Sequence, residues 1–202
     1  MKIKTKDITV CAAIVALMIV MGWMPWVFLV PLLFAACTQK TPIALFCGFA
    51  YGCISLLYAY LGAVTPVGLA FLQQPWIPIV PRILVGLFTC LSFVGFRKLF
   101  KGNGKVQRAL PYNLAASVGV LTNTVLVVLC LVLFVPSIQV PDGLIQYMYL
   151  LIPEMIISFM FEMTFANLIV PTLCLTAGKA LRLGEFAPKT KPAESIAAEK
   201  LS

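Results

Sequence analysis

Long apolar runs separated by short polar segments constrain the fold of this chain more than any other feature. Three of these runs cover about residues 43–61, 77–96 and 110–134 and contain almost no charge. An α-helix of about 20 apolar residues crosses the hydrocarbon core of a bilayer. Charged residues make up 11% of the chain, whereas soluble domains carry about 25%. The sequence therefore predicts an all-α integral membrane protein.

We expect one compact bundle of six transmembrane helices, formed by residues 1–183. The predicted segments are 8–24, 26–37, 43–61, 77–96, 110–134 and 144–181. The second run is too short to span the bilayer straight, so it predicts a short or tilted helix. Residues 184–202 are polar and contain proline, which is typical of a disordered cytosolic tail.

The basic residues sort to one side of this arrangement. With a cytoplasmic N-terminus, the inner segments hold 14 of the 15 Lys and Arg residues, and the outer segments 62–76 and 135–143 hold none. This is the positive-inside pattern. It predicts a multi-pass protein of the cell membrane with both termini in the cytoplasm. It also explains the net charge of +8 by orientation in the lipid bilayer and not by nucleic-acid binding.

Arg82 is the basic residue that this sorting leaves inside the bilayer, about 8 Å below the outer end of its helix. An intramembrane arginine costs at least about 2.5–3.5 kcal/mol and is a functional-site hypothesis by default. Its guanidinium matches a carboxylate or a phosphate. Two interpretations stay open: a ligand-binding group, or a structural arginine that snorkels outward or pairs with Glu154.

Polar residues on the last two segments are placed to meet Arg82. At 100° per residue, four of them fall within about a quarter-turn on the last segment: Tyr147, Glu154, Ser158 and Glu162. They predict a polar stripe that faces the bundle interior, with Glu162 as a site residue or as a protonated or hydrogen-bonded core acid. Asn123 lies about 16 Å from the outer end of its helix, where its amide bonds a ligand or joins two helices.

The outer segment 62–76 places Gln73, Gln74 and Trp76 above Arg82. Its glycines and prolines predict a hinged lid loop. The two amides suit a small polar ligand, while Trp76 also fits the aromatic belt of a membrane interface.

Small residues four apart occur on two segments and allow helices to approach closely. Ala44, Gly48 and Gly52 favour packing inside the bundle. Ala12 and Ala16 on the first segment favour contact with an external partner.

Several kinds of chemistry are excluded by missing residues. The chain has no histidine, so neither a zinc site nor a catalytic pair that uses histidine is predicted. Leu99 stands where an ATP-binding loop would need glycine before Gly104 and Lys105. We therefore predict no enzyme activity, no metal and no cofactor, and an energised function would need a separate motor.

Residues 81–87, residues 119–127 and the Ala12/Ala16 spacing resemble the substrate-binding S components of energy-coupling factor (ECF) vitamin transporters. The resemblance implies capture of a vitamin near the outer face. Its site would contain Arg82, Asn123 and Glu154, with Gln73, Gln74 and Trp76 in the lid. Ala12 and Ala16 would contact a transmembrane coupling subunit that carries two ATPase subunits. Pantothenate is the favoured vitamin, with folate or another B vitamin as the alternative.

Two other classes of protein fit the same sequence. A structural membrane protein of the cell-shape machinery, similar to MreD, would need no ligand, and its polar residues would join helices. A self-sufficient secondary transporter would use Glu162 as a proton carrier, although the chain shows no internal repeat of the kind such transporters contain.

Overall fold

The computed structural model describes residues 5–24, 26–62, 66–100, 105–134, 144–181 and 183. Within these ranges every regular element is an α-helix, which confirms the predicted helical class. The helices are α1 (Thr5–Met21), α2 (Val30–Thr38), α3 (Thr41–Tyr60), α4 (Pro66–Gln73), α5 (Trp76–Leu99), α6 (Lys105–Phe134) and α7 (Leu144–Ala180).

Four of the described helices are long and apolar enough to cross a membrane, namely α3, α5, and most of α6 and α7. They correspond to four of the predicted segments and identify the chain as a membrane protein. The apolar run Asp7–Met21 in α1 is shorter, and α2 has 9 residues. A helix of that length measures about 14 Å, which is about half of the hydrocarbon core.

Helix α2 lies at the centre of the molecule. All 9 of its residues are buried, and it packs against α1, α3, α5, α6 and α7. A helix that is apolar on every side is stable where other helices surround it. Its one hydroxyl, at Thr38, donates a hydrogen bond to the carbonyl of Phe34 at 2.7 Å, so α2 brings no unsatisfied side chain into the core.

Helix α4 occupies part of the segment that the sequence predicted as a loop. That expectation is wrong for residues 66–73, which form a helix packed against α3, α5 and α7. Proline is favoured in the first turn of a helix, and α4 begins at Pro66. Ala70 and Phe71 are buried, so an apolar face that packs on the bundle outweighs the turn-forming tendency of the prolines and glycines.

Helices α3 and α5 approach each other at glycines. A Cβ atom at Gly52 would lie 2.7 Å from the Cα of Ile79, and one at Gly86 would lie 2.7 Å from the carbonyl oxygen of Ala44. A Cβ at Gly48 would lie 2.5 Å from the carbonyl oxygen of Arg82. Side chains larger than hydrogen have no space here, which confirms the predicted internal packing role of this small-residue motif.

The substitution Gly48→Ala tests this packing. We expect a lower melting temperature in detergent, because overpacking costs about 1–3 kcal/mol. Gly95→Ala on α5 is the matched control, since a Cβ at Gly95 meets nothing within 4 Å and alanine is the better helix former by up to about 1 kcal/mol. A Gly48→Ala protein as stable as Gly95→Ala would contradict the close contact of α3 with α5.

Candidate functional site

A cavity of about 620 Å³ lies between α3, α4, α5, α7 and the turn that follows α1. We call it the Arg82 cavity. A smaller cavity of about 100 Å³, the Asn123 pocket, adjoins it and extends to α6. Four polar residues line both: Arg82, Glu154, Ser158 and Glu162. The structure thus brings together groups that lie up to 80 residues apart in the sequence, counting from Arg82 to Glu162.

Arg82 is buried, with 7% of its surface exposed. Its guanidinium carbon lies 4.8 Å from the ring centre of Phe71 and 5.6 Å from that of Tyr51. Aromatic faces within about 6 Å attract a cation, by about 2 kcal/mol or more where water is excluded. The two rings therefore hold the guanidinium in place and stabilise its charge inside the bundle.

The residue before Arg82 explains one of its contacts. In a regular helix the carbonyl of Ile77 would accept a hydrogen bond from the backbone N–H four residues later, but that residue is Pro81, which has none. The Nη1 atom of Arg82 donates to this carbonyl at 3.4 Å. The Pro-Arg pair therefore creates a free acceptor and supplies a donor for it.

Hydrogen bonding of Arg82 is incomplete within the described part of the chain. Its Nε is buried and has no hydrogen-bond partner there. The ion pair formed by described residues is Lys40 with Asp7, at 2.7 Å, and Arg82 lies within 4.0 Å of no carboxylate among those residues. Glu154 shares the cavity with Arg82 without forming the direct pair considered from the sequence.

The polar residues of α7 face the cavities in a regular pattern. Glu154, Ser158 and Glu162 are spaced by four, so one face of α7 carries all three, and each lines both cavities. Tyr147 belongs to α7 by its backbone, but its side chain lies outside the described residues.

Asn123 enters the smaller pocket from α6. It is buried, with 7% of its surface exposed, and its Nδ2 donates to Oε2 of Glu162 at 3.4 Å. Its Oδ1 is buried and has no hydrogen-bond partner among the described residues. Asn123 therefore orients Glu162 and keeps an acceptor available for another group.

The predicted lid residues lie apart from both cavities. Gln73 ends α4 and Gln74 follows it, with the backbone N–H of Gln74 bonded to the carbonyl of Ala70 at 2.9 Å. Trp76 begins α5 and is 65% exposed. None of the three is among the described residues that line either cavity. The face of α4 that carries Val67 and Phe71 lines the cavities. Gln73, two residues after Phe71, lies about 200° further around the helix, on the opposite face.

A set of aromatic residues in the cavity wall was not predicted from the sequence. Six line the Arg82 cavity: Trp23, Trp26, Phe28, Tyr51, Tyr58 and Phe71. One signal was present, because Tyr51 and Tyr58 are seven residues apart and therefore share a helix face. The other four depend on the turn after α1 and on α4, whose positions no periodicity fixes.

Ala12 and Ala16 line a separate groove on the outside of α1. The groove has a volume of about 670 Å³ and is completed on α3 by Pro42, Ile43 and Phe46. Both alanines are exposed. The small residues of α1 thus form the floor of an apolar groove, outside the core.

No protein-family model matches the chain, and a search of curated proteins found no match. Among the described residues, no group of three or more Cys, Asp or Glu side chains is arranged to hold a metal ion. The two cavities together present one buried cation from Arg82, the amide oxygen of Asn123 and the carboxyl groups of Glu154 and Glu162. This set of groups suits the binding of a small polar molecule.

A comparison of Asn123 with Asn167 tests whether Asn123 stabilises helix packing or keeps its amide available for a group in the cavity. Asn167 is satisfied, since its Oδ1 accepts from Ser117 and its Nδ2 donates to the carbonyl of Met163, each at 3.0 Å. We expect Asn167→Leu to lower the melting temperature, because each lost hydrogen bond removes about 1 kcal/mol. Asn123→Leu removes an unsatisfied buried oxygen but also takes a donor away from Oε2 of Glu162. These effects oppose each other, so the substitution should lower the melting temperature less than Asn167→Leu.

Thermal unfolding of the two variants in the same detergent provides the comparison. An Asn123→Leu protein destabilised as much as Asn167→Leu would show that Asn123 is a structural residue.

Proposed function

We propose that this chain is the substrate-capture subunit of an ECF-type importer, a membrane protein that binds a vitamin and does not catalyse a reaction. In this proposal the chain spans the cell membrane six times, with both termini in the cytoplasm and the Arg82 cavity near the outer face. Coupling and ATPase subunits would supply the energy for transfer of the vitamin inward.

The buried guanidinium of Arg82 is the observation that carries the proposal. An arginine inside a membrane is destabilising by at least about 2.5–3.5 kcal/mol, and a purely structural one is expected to have all its donors bonded. Here Nε of Arg82 and Oδ1 of Asn123 lack hydrogen-bond partners among the described residues, and both residues line the Asn123 pocket. A bound polar ligand would complete both sets of bonds.

The apolar groove on α1 supports a partner within the membrane. Ala12 and Ala16 allow another helix to approach the backbone of α1 closely, and Pro42 and Phe46 supply an apolar wall. The proposal assigns this groove to the transmembrane coupling subunit. Binding of the vitamin and docking of the partner would then use separate faces of the protein.

A thermal-shift screen of the purified protein against B vitamins, including pantothenate, folate, riboflavin, thiamin and biotin, tests ligand capture. A ligand at 100 times its Kd stabilises the folded state by about 2.7 kcal/mol. We expect one vitamin to raise the melting temperature of the wild type, and Arg82→Ala to lose most of that shift. Arg97→Ala is the matched control, because Arg97 lies on the same helix but is exposed and lines neither cavity.

A protein that no vitamin stabilises, and whose melting temperature falls on Arg82→Ala, would instead have a structural arginine. That result would favour the cell-shape class of membrane protein.

Substitution of the groove residues tests the docking face. We expect Ala12→Leu combined with Ala16→Leu to abolish co-purification with tagged coupling and ATPase subunits from the same cell, because the larger side chains separate the helices. Ligand-induced stabilisation should persist, since the groove and the Arg82 cavity share no described residue. Gly95→Leu on α5 is the control for an added side chain on an exposed surface, and unchanged co-purification of the double variant would contradict the assignment.

A further inference from the structure

Aromatic side chains lead from Trp23, an exposed residue of the Arg82 cavity wall, to the guanidinium of Arg82. The Trp23 ring lies 5.6 Å from that of Tyr58 in an edge-on arrangement, and Phe28 lies 6.1 Å from Tyr58 and 4.3 Å from Tyr51. Tyr51 in turn lies under the guanidinium of Arg82. We call the six cavity-lining aromatic residues the aromatic chamber. Four of the rings, those of Trp23, Tyr58, Phe28 and Tyr51, form a continuous set. Such a set suits a ligand that presents the face of an aromatic ring.

The tryptophans of the chamber differ from a typical membrane-interface tryptophan. Trp76 lines neither cavity, which is the behaviour of an interfacial residue. Exposure does not distinguish the three tryptophans, since Trp76 is 65%, Trp23 76% and Trp26 41% exposed. Trp23 and Trp26 line the cavity, and Trp26 stacks on Phe161 with ring centres 4.6 Å apart. Their position in the cavity wall, and not exposure alone, indicates a contact with the ligand.

The turn that carries these tryptophans is held against α3. A Cβ at Gly22 would collide with the Tyr58 ring, and the hydroxyl of Tyr58 donates to the backbone carbonyl of Ile19. The backbone N–H of Gly22 also bonds that carbonyl, at 3.4 Å. The chamber wall is therefore organised before any ligand binds, which lowers the entropy loss on binding.

The polar end of the cavity requires both an acceptor and donors from the ligand. Arg82 offers N–H donors, whereas the carboxyl groups of Glu154 and Glu162 beside it accept hydrogen bonds when ionised. A ligand that ends in a carboxylate alone would satisfy Arg82 but would face two acidic groups. A ring edge with neighbouring C=O and N–H groups would satisfy Arg82 and the carboxyl groups together.

We propose that the ligand is a planar nitrogen heterocycle that stacks in the aromatic chamber and turns an edge bearing C=O and N–H groups toward Arg82, Glu154 and Glu162. The pterin ring of folate and the isoalloxazine ring of riboflavin both have this chemistry, whereas pantothenate is acyclic. This inference rests on the proposed function and replaces the preference for pantothenate, which the sequence motifs favour, with a class of ligand that the cavity wall fits.

Isothermal titration of the full-length protein in detergent with folic acid, riboflavin and pantothenate tests the class of ligand. We expect one heterocycle to bind at least about tenfold more tightly than pantothenate, because stacking of a planar ring on aromatic side chains changes the Kd by at least about that factor. Comparison of the Kd of folic acid with the Kd of riboflavin distinguishes a pterin ligand from a flavin ligand. This ranking uses the wild-type protein and does not depend on how any variant folds.

Three tryptophan substitutions locate the ring. Trp23→Leu and Trp26→Leu should each weaken binding of the heterocycle about tenfold. Trp76 lies outside the cavity and its exposure falls between those of Trp23 and Trp26, so Trp76→Leu should leave the Kd of the heterocycle unchanged. The ligand-free melting temperature of each variant verifies that it is folded.

The outcomes separate the two proposals. Pantothenate binding as tightly as both heterocycles, or heterocycle binding that neither chamber substitution weakens, would overturn the ring inference and leave capture of a vitamin intact. No binding by any vitamin of the wider panel would overturn the proposed function and this inference together.

Discussion

In a regular helix the carbonyl of Ile77 would accept a hydrogen bond from the backbone N–H of residue 81, but Pro81 has no N–H. The position of Arg82 depends on this missing hydrogen bond. The carbonyl oxygen of Ile77 instead accepts a hydrogen bond from Nη1 of Arg82. This bond directs the charged side chain into the bundle and not toward water. Phe71 and Tyr51 flank its guanidinium, which stabilises the charge where solvent does not reach it. A regular helix at this point would offer Arg82 no such anchor.

The close contact of α3 with α5 makes this anchor rigid. Gly48 lies against the carbonyl oxygen of Arg82 itself, and Gly52 lies against Pro78 and Ile79 one turn earlier. Because the backbones touch, Tyr51, which lies between these glycines on α3, is brought directly to the guanidinium. The motif of small residues thus sets the distance between an aromatic ring and a cation, in addition to packing the core.

The parts of the site predicted from the sequence are those that a single helix or a charge count determines. Glu154, Ser158 and Glu162 share a face by their spacing of four. Arg82 stands out because every other basic residue sorts to one side in the predicted topology. The environment of Arg82 could not be predicted in the same way. Phe71 contacts Arg82 from α4, a helix in a segment that the sequence predicts as a loop. Gln73 and Gln74 line neither cavity, and their placement relative to Arg82 depends in the same way on how α4 folds.

The shortness of α2 explains how a polar cavity coexists with a stable bundle. Its 9 buried residues fill only about 14 Å of the bundle at about 1.5 Å per residue, and this part forms the apolar core with α1, α3, α5, α6 and α7. None of these nine residues lines either cavity. Beyond the start of α2 the chain is a turn, and Trp23, Trp26 and Phe28 from that turn form part of the cavity wall. A helix of full length at this position would fill the same space with side chains. Because α2 begins only at Val30, the cavity beside Arg82, Glu154 and Glu162 stays open. The apolar half of the bundle supplies the stability that the incompletely hydrogen-bonded Arg82 and Asn123 do not.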